Sequence, residues 1–132
     1  MAGFSQLNRW LILAAAIVLF VTAAIHGTGY TSVSSAVAAN SVKPSLASVV
    51  RALWLMFSAH LLVLGVVVVL AGWTPGGGRV VLACALIPAA DTALLLRFAG
   101  LFVGTFALAA VTVLLVLGGA LQWRREGPFR GT

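Results

Sequence analysis

The sequence predicts an all-α integral membrane protein, an antiparallel four-helix transmembrane bundle that forms a single domain over residues 1–132. The composition is 62% hydrophobic and only 8% charged, which is too little charge to cover a water-soluble domain. Four apolar runs nearly fill the chain, and each is close to the roughly 20 residues that cross a bilayer core of about 30 Å. Short turns between the later runs make consecutive spans antiparallel.

The first predicted span covers residues 10–30 and follows Arg9. A Ser- and Ala-rich segment comes next, which we interpret as an outer loop over residues 31–44. The same apolar run would also serve as the hydrophobic region of a signal peptide, with small residues at 36–39 as its cleavage site. The length of the run and the single preceding arginine favour a retained span.

The second predicted span covers residues 45–73 and begins directly after Pro44. Proline is favoured in the first turn of a helix, where its missing N–H is not needed. The span ends before the sequence Thr-Pro-Gly-Gly-Gly at 74–78, whose residue types form turns. The second and third spans are therefore predicted to be antiparallel neighbours.

The third predicted span covers residues 79–97 and contains Pro88, which is expected to kink it because proline removes a backbone donor. A tight return then leads into the fourth span, residues 100–122. This span opens with Gly100 and Gly104, a GxxxG pair that predicts close helix packing against the third span or against another protein.

The basic residues are unevenly divided between the two ends of the predicted bundle. Cytoplasmic segments carry the excess of Lys and Arg, so both termini are expected to face the cytoplasm of a bacterial inner or plasma membrane. The cations on the terminal side are Arg9, Arg79, Arg124, Arg125 and Arg130, against Lys43, Arg51 and Arg97 on the other side.

Four side chains are predicted to anchor the spans at the two lipid interfaces. Trp10, Trp73 and Trp123 all fall at the cytoplasmic ends of their spans, the position of an aromatic belt. Arg51 falls near the outer interface, where its long side chain can reach the headgroups. The net charge of +6 is scattered singly over span ends, so the bilayer and other membrane proteins are the expected partners, and nucleic acid is not.

Three ionisable side chains lie inside the predicted spans at similar depth. Counting about 1.5 Å per residue from Arg79 and the cytoplasmic tryptophans places His26, His60 and Asp91 roughly 24, 20 and 18 Å into the membrane. A charged group at that depth costs about 2.5–3.5 kcal/mol on insertion scales. Asp91 therefore needs a partner, and Arg51, Arg97 or a histidine would serve.

The three residues suggest a catalytic layer, in which His26, His60 and Asp91 line one cavity. A carboxylate can orient an imidazole, and the second imidazole can act as acid or base on a small lipophilic molecule. Alternatively each side chain hydrogen-bonds a neighbouring helix and fixes the register of a structural bundle.

The histidine pair would also suit b-type haem, with His26 and His60 as axial ligands. Haem is not favoured, because the sequence has no second histidine pair for transmembrane electron transfer and no Cys-x-x-Cys-His attachment signal. No metal site is predicted from two histidines and one intramembrane carboxylate without fixed spacing.

We therefore predict an accessory or scaffolding subunit of a larger membrane complex, or a self-associating bundle, because four close-packed helices fill their own centre. The second interpretation is a membrane enzyme or binding protein for a small lipophilic molecule, which the intramembrane Asp91 favours. A small proton-coupled exporter working as a dimer is a further alternative. The pattern of His26, then Arg-Ala-Leu-Trp at 51–54 and His60, resembles small bacterial four-span proteins, a resemblance that implies no activity.

Overall fold

The computed structural model describes residues 3–126, so Arg130, one of the cations used to predict orientation, lies outside the described residues. Every regular element within 3–126 is an α-helix, which confirms the all-α prediction. The helices are α1 (Gly3–Thr28), α2 (Tyr30–Ala39), α3 (Pro44–Trp73), α4 (Gly78–Cys84), α5 (Leu86–Phe98) and α6 (Val103–Glu126).

The helices combine into four stretches that are long and apolar enough to cross a membrane, as predicted. Helix α1 packs against both α3 and α6, while α4 and α5 pack against α6. We call the end of the bundle that holds Asn8, the α3–α4 turn and Glu126 the terminal end, and the opposite end the loop end. The four stretches are Gln6–Ala39, Pro44–Trp73, Gly78–Phe98 and Val103–Glu126.

The segment 31–44, predicted as a loop, is mainly helical. Helix α2 occupies Tyr30–Ala39, and the chain leaves helical geometry only over residues 40–43. The segment contains no glycine or proline before Pro44 and is rich in alanine, the strongest helix former. The Ser- and Ala-rich composition was wrongly interpreted as a loop, and the connection to α3 is short.

The third span has a local irregularity at Ala85, near the predicted kink, although Ala85 itself keeps helical dihedrals. Helix α4 ends at Cys84 and α5 begins at Leu86, one turn before Pro88. Proline has no N–H to donate to the carbonyl four residues earlier, and its ring crowds that carbonyl. The irregularity therefore falls at the position that Pro88 leaves without its helical hydrogen bond.

The fourth span begins later than predicted, because Gly100 lies in the turn. Gly100 has φ +79°, and the backbone N–H groups of Ala99 and Gly100 both donate to the carbonyl of Leu95, at 2.8 and 2.9 Å. This left-handed glycine at a helix C-terminus is a common stop signal.

The two glycines of the GxxxG pair therefore do not act together as a helix contact within this chain, and packing against another protein stays a prediction. A Cβ added at Gly100 would meet no atom within 4 Å, and the three atoms nearest to one added at Gly104 all belong to the ring of Phe102. The two glycines do not lie on one helix face, so they cannot bring α6 close to a neighbouring helix in the way the motif requires.

The close approaches between helices occur instead at glycines in the terminal half. A Cβ at Gly72 of α3 or at Gly118 of α6 would lie 2.9 or 2.8 Å from the side chain of Ile12. Ile12 is fully buried and belongs to a core that includes Leu19, Val68 and Leu115. Small residues opposite one branched side chain bring α1, α3 and α6 together here.

Candidate functional site

An apolar cavity of about 480 Å³ opens in the loop half of the bundle, between α1, α3, α5 and α6. We call it the loop-end cleft. Helix α5, on one side of it, packs mainly against α6. Its lining includes Thr22, His26, Trp54, Phe57, Leu95 and Leu108.

The imidazole of His26 is held by Trp54 on one side of the cleft. The two rings stack with centroids 3.8 Å apart and planes inclined by 18°. The indole Nε1–H of Trp54 also donates to the backbone carbonyl of His26 at 2.8 Å. Two contacts between the same residues thus fix the end of α1 against α3.

Gly29 makes this contact possible. A Cβ at position 29 would lie 2.9 Å from Cζ2 of Trp54, closer than side-chain atoms normally approach. The glycine-rich sequence His-Gly-Thr-Gly-Tyr at 26–30 therefore does more than end a helix, because it admits the indole beside His26.

Phe57 connects His26 to the second histidine. Its ring lies 4.7 Å from the His26 ring and 4.9 Å from the His60 ring, the latter edge-on at 88°. Aromatic pairs favour such tilted and edge-to-face geometries. Trp54, Phe57 and His60 follow one another at three-residue spacing along α3, so they form a continuous aromatic row.

His60 and Asp91 form a hydrogen-bonded pair between α3 and α5. The Nε2 atom of His60 lies 3.0 Å from Oδ2 of Asp91, and the two side chains are 33% and 16% exposed. Among the candidate partners, a histidine is thus paired with Asp91, and neither Arg51 nor Arg97 is. The acid inside the span has the partner that its depth requires.

The His60–Asp91 pair lies one helical turn inward of the cleft. His60 comes three residues after Phe57 on α3, and Asp91 comes four residues before Leu95 on α5. Both neighbours line the cleft, and residues at these spacings share a helix face. The pair bridges the two helices next to the inner end of the cavity.

The three predicted catalytic residues therefore meet only in part. His60 and Asp91 touch, whereas His26 reaches them only through the Phe57 ring. No group of three metal-ligating side chains forms within residues 3–126. Their use as one catalytic set stays a prediction.

The site does not fit haem held by both histidines. The Nε2 atom of His60, the usual iron ligand atom, is taken by Asp91. The phenyl ring of Phe57 packs against both imidazoles, so it fills space that a porphyrin between them would need.

One buried polar atom of a residue that lines the cleft lacks a hydrogen bond. Nε2 of His26 is buried and has no partner among the described residues. Buried polar groups are nearly always hydrogen-bonded, so an exception asks for an explanation. The buried Nε of Arg51, the predicted outer anchor, is likewise without a partner in this part of the chain.

The three predicted tryptophan anchors lie together at the terminal end. Trp10, Trp73 and Trp123 are 65%, 49% and 45% exposed, and the guanidinium of Arg79 lies 5.8 Å from the Trp123 ring centroid. Their common level suits an aromatic belt, although anchoring to lipid stays a prediction.

Sequence reasoning missed Trp54 and Phe57, although both line the cleft. The signal was the three-residue spacing from Trp54 through Phe57 to His60, which places large rings along one side of α3. No family model, curated protein or solved structure matches the chain. Function therefore has to be inferred from the cleft and its side chains.

Proposed function

We propose that this small membrane protein binds a small lipophilic molecule in the loop-end cleft. The supporting observation is an apolar cavity of about 480 Å³ with His26 in its lining, next to the buried Nε2 of that imidazole, which has no partner among the described residues. Ligand sites typically have about 300–1,000 Å³, a mostly apolar lining and a few polar groups that orient the ligand.

The expected ligand is an apolar ring or short chain with one hydroxyl or carbonyl group. Trp54, Phe57 and Leu108 provide apolar contact, and His26 provides the hydrogen bond. A neutral imidazole nitrogen donates or accepts according to its tautomer, and a hydroxyl group can satisfy either form. Stacking on Trp54 holds the imidazole in place before the ligand binds, which lowers the entropy lost on binding.

The His60–Asp91 pair sits beside this cavity and gives it a potential acid or base. The carboxylate engages Nε2 of His60, which leaves Nδ1 as the imidazole atom available for proton exchange. Phe57 lies between this pair and His26 in the aromatic row. Binding is therefore the proposed activity, and catalysis by His60 and Asp91 stays a prediction.

Trp54 can report ligand binding directly. A variant with Trp10→Phe, Trp73→Phe and Trp123→Phe retains Trp54 as its only tryptophan, beside the cavity. We would titrate it in lipid nanodiscs with 4-bromophenol, an aromatic alcohol whose bromine quenches indole fluorescence. We expect saturable quenching of Trp54.

A matched variant that retains Trp123 alone measures partitioning of the probe into the bilayer. It should show quenching that rises linearly without saturation. In the Trp54 reporter, His26→Leu should weaken binding about fivefold, which corresponds to one net hydrogen bond. Equal, non-saturable quenching in both single-tryptophan proteins would refute the proposal.

The accessory-subunit interpretation makes a different prediction for the purified protein. Extraction in mild detergent followed by an intact-complex mass of the same sample should then reveal foreign subunits. A lone bundle that retains a small lipophile would support the cleft instead. An absorbance spectrum of that sample tests haem, and transport across vesicles under a proton gradient tests the exporter alternative.

A further inference from the structure

A second cavity lies at the terminal end, on the opposite side of the bundle from the loop-end cleft. Its volume is about 210 Å³, and its lining comes from α1, the α3–α4 turn and the end of α6. Charged and polar side chains line it, among them Asn8, Arg9, Gln122, Arg125 and Glu126. No step of the proposed ligand binding uses these residues.

Two of the polar side chains at this cavity are almost completely buried. Asn8 is 4% exposed and Gln122 is 6% exposed. The amide nitrogen of Gln122 donates to the carbonyls of Ala71 and Thr74, both at 3.3 Å, and to Glu126 at 3.0 Å. Its Oε1 atom is buried without a partner among the described residues.

The cavity carries charges of both signs. The guanidinium of Arg125 lies 3.5 Å from Oδ1 of Asn8, and Arg9 is exposed beside it. The Glu126 carboxylate accepts hydrogen bonds from Gln122 and from the backbone N–H of Gly78, the latter at 3.2 Å. Two cations and one fixed anion thus surround the same small volume.

An apolar groove adjoins this polar cavity. It has a volume of about 240 Å³ and is lined by Gln6, Arg9, Trp10, Leu13 and Trp73. Arg9 and Trp73 line both spaces, so the groove and the cavity lie side by side. The exposed Trp10 and Trp73 rings are suited to the level where headgroups meet acyl chains.

We propose that the two spaces bind one phospholipid with a primary amine headgroup, of the phosphatidylethanolamine class. Arg9 and Arg125 hold the phosphate, because guanidinium groups pair well with phosphate oxygens. The ammonium lies against the Glu126 carboxylate, and the first part of an acyl chain follows the groove past Trp10 and Leu13. A free phosphate would satisfy the arginines but would leave both the carboxylate and the groove unused.

The full-length protein should select this headgroup from a mixed bilayer. We would reconstitute it in nanodiscs with equal amounts of palmitoyl-oleoyl phosphatidylethanolamine, phosphatidylcholine and phosphatidylglycerol, and count retained lipid by native mass spectrometry. Phosphatidylethanolamine should be retained about threefold over phosphatidylcholine, as one partly exposed N–H hydrogen bond to the carboxylate allows. Quaternary ammonium has the same charge but no N–H to donate.

Two variants separate the contributions of amine and phosphate. Glu126→Gln keeps an acceptor for the Gly78 N–H and should remove the preference for phosphatidylethanolamine. Arg9→Gln with Arg125→Gln should lower retention of all three lipids. Arg124→Gln, next in sequence but not part of either lining, is the matched control and should change nothing.

The wild-type protein alone also tests the proposal, without any variant that has to fold. Retention should fall stepwise when the headgroup amine carries one, two and three methyl groups. Equal retention across that series, or retention of phosphatidylglycerol above phosphatidylethanolamine, would overturn the assignment of the amine. If Arg124→Gln lowers lipid retention as much as the double arginine variant does, the arginines act only by general attraction between cations and lipid. That result would overturn the phosphate site.

Discussion

The two halves of the bundle are packed in opposite ways. In the terminal half, α1, α3 and α6 meet at glycines, with Gly72 and Gly118 both against Ile12. In the loop half, aromatic rings stand between the helices, and a cavity of about 480 Å³ remains open. The change occurs near the junction of α4 and α5, beyond which the third span still packs on α6 but less closely on α3.

The difference shows how a small bundle can combine tight packing in one half with an open cavity in the other. Helix association in lipid depends on close packing and polar contacts rather than on a hydrophobic driving force. Glycine contacts in one half supply the close packing. In the other half, the rings of His26, Trp54 and Phe57 join α1 to α3, and the His60–Asp91 pair joins α3 to α5.

The largest effect is expected from breaking that bridge. His60→Leu leaves the Asp91 carboxylate unpaired inside the span, which should lower the free energy of unfolding by about 3 kcal/mol. Reversible unfolding in mixed micelles measures this change in the free energy of unfolding. Adding Asp91→Leu should recover most of the loss, since no charge then remains. A double variant less stable than His60→Leu would contradict this account of the pair.

The next effect concerns the terminal half. A Cβ at Gly78 would lie 2.6 Å from the backbone nitrogen of Trp123, and backbone of a packed helix cannot move aside easily. Gly78→Ala should therefore push α4 from α6 and destabilise the protein by about 2 kcal/mol, in the range of overpacked cores. Thermal unfolding in micelles checks this, and an unchanged midpoint would mean that the contact is not tight.

A smaller loss is expected at the aromatic wall of the cleft. Trp54→Phe keeps a ring against His26 but removes the donor to its carbonyl, which should cost about 1 kcal/mol. The control is Trp10→Phe, since Trp10 is 65% exposed and donates no hydrogen bond within the described chain; its stability should stay within roughly 0.5 kcal/mol of wild type. Equal losses in both variants would show that the Trp54 hydrogen bond contributes nothing.

The smallest effect should be a gain, at a glycine of the loop half. A Cβ at Gly27 would meet only the Ser58 hydroxyl, at 3.8 Å, an ordinary contact. Gly27→Ala should stabilise α1 by roughly 0.5 kcal/mol through higher helix propensity. The same unfolding measurement in micelles that tests Gly78→Ala gives the stability of Gly27→Ala relative to wild type. If Gly27→Ala is destabilising, an added Cβ is not tolerated in the loop half any more than in the terminal half.

The sequence predicted part of the candidate site because depth along a helix follows from residue count. His60 and Asp91 were placed within one turn of each other, and they pair in the structure. Counting placed Arg51 near the outer interface but left the partner of Asp91 open among Arg51, Arg97 and a histidine, since that choice depends on how each helix is rotated about its axis. The importance of Trp54 was missed for a related reason, as its partner on α1 is 28 residues away.

The sequence alone determined that the chain has four apolar helices of membrane-spanning length and where Pro88 interrupts the third, because run length, proline and glycine act locally along the chain. It did not determine that residues 30–39 are helical, since Ser and Ala suit both a polar connection and a helix. Only the tertiary structure decided that α5 packs mainly on α6, that Gly100 lies in a turn rather than at a helix contact, and that Phe57 stands between His26 and His60. Those features depend on which face each helix turns toward its neighbours, and apolar faces that meet lipid or protein have the same composition.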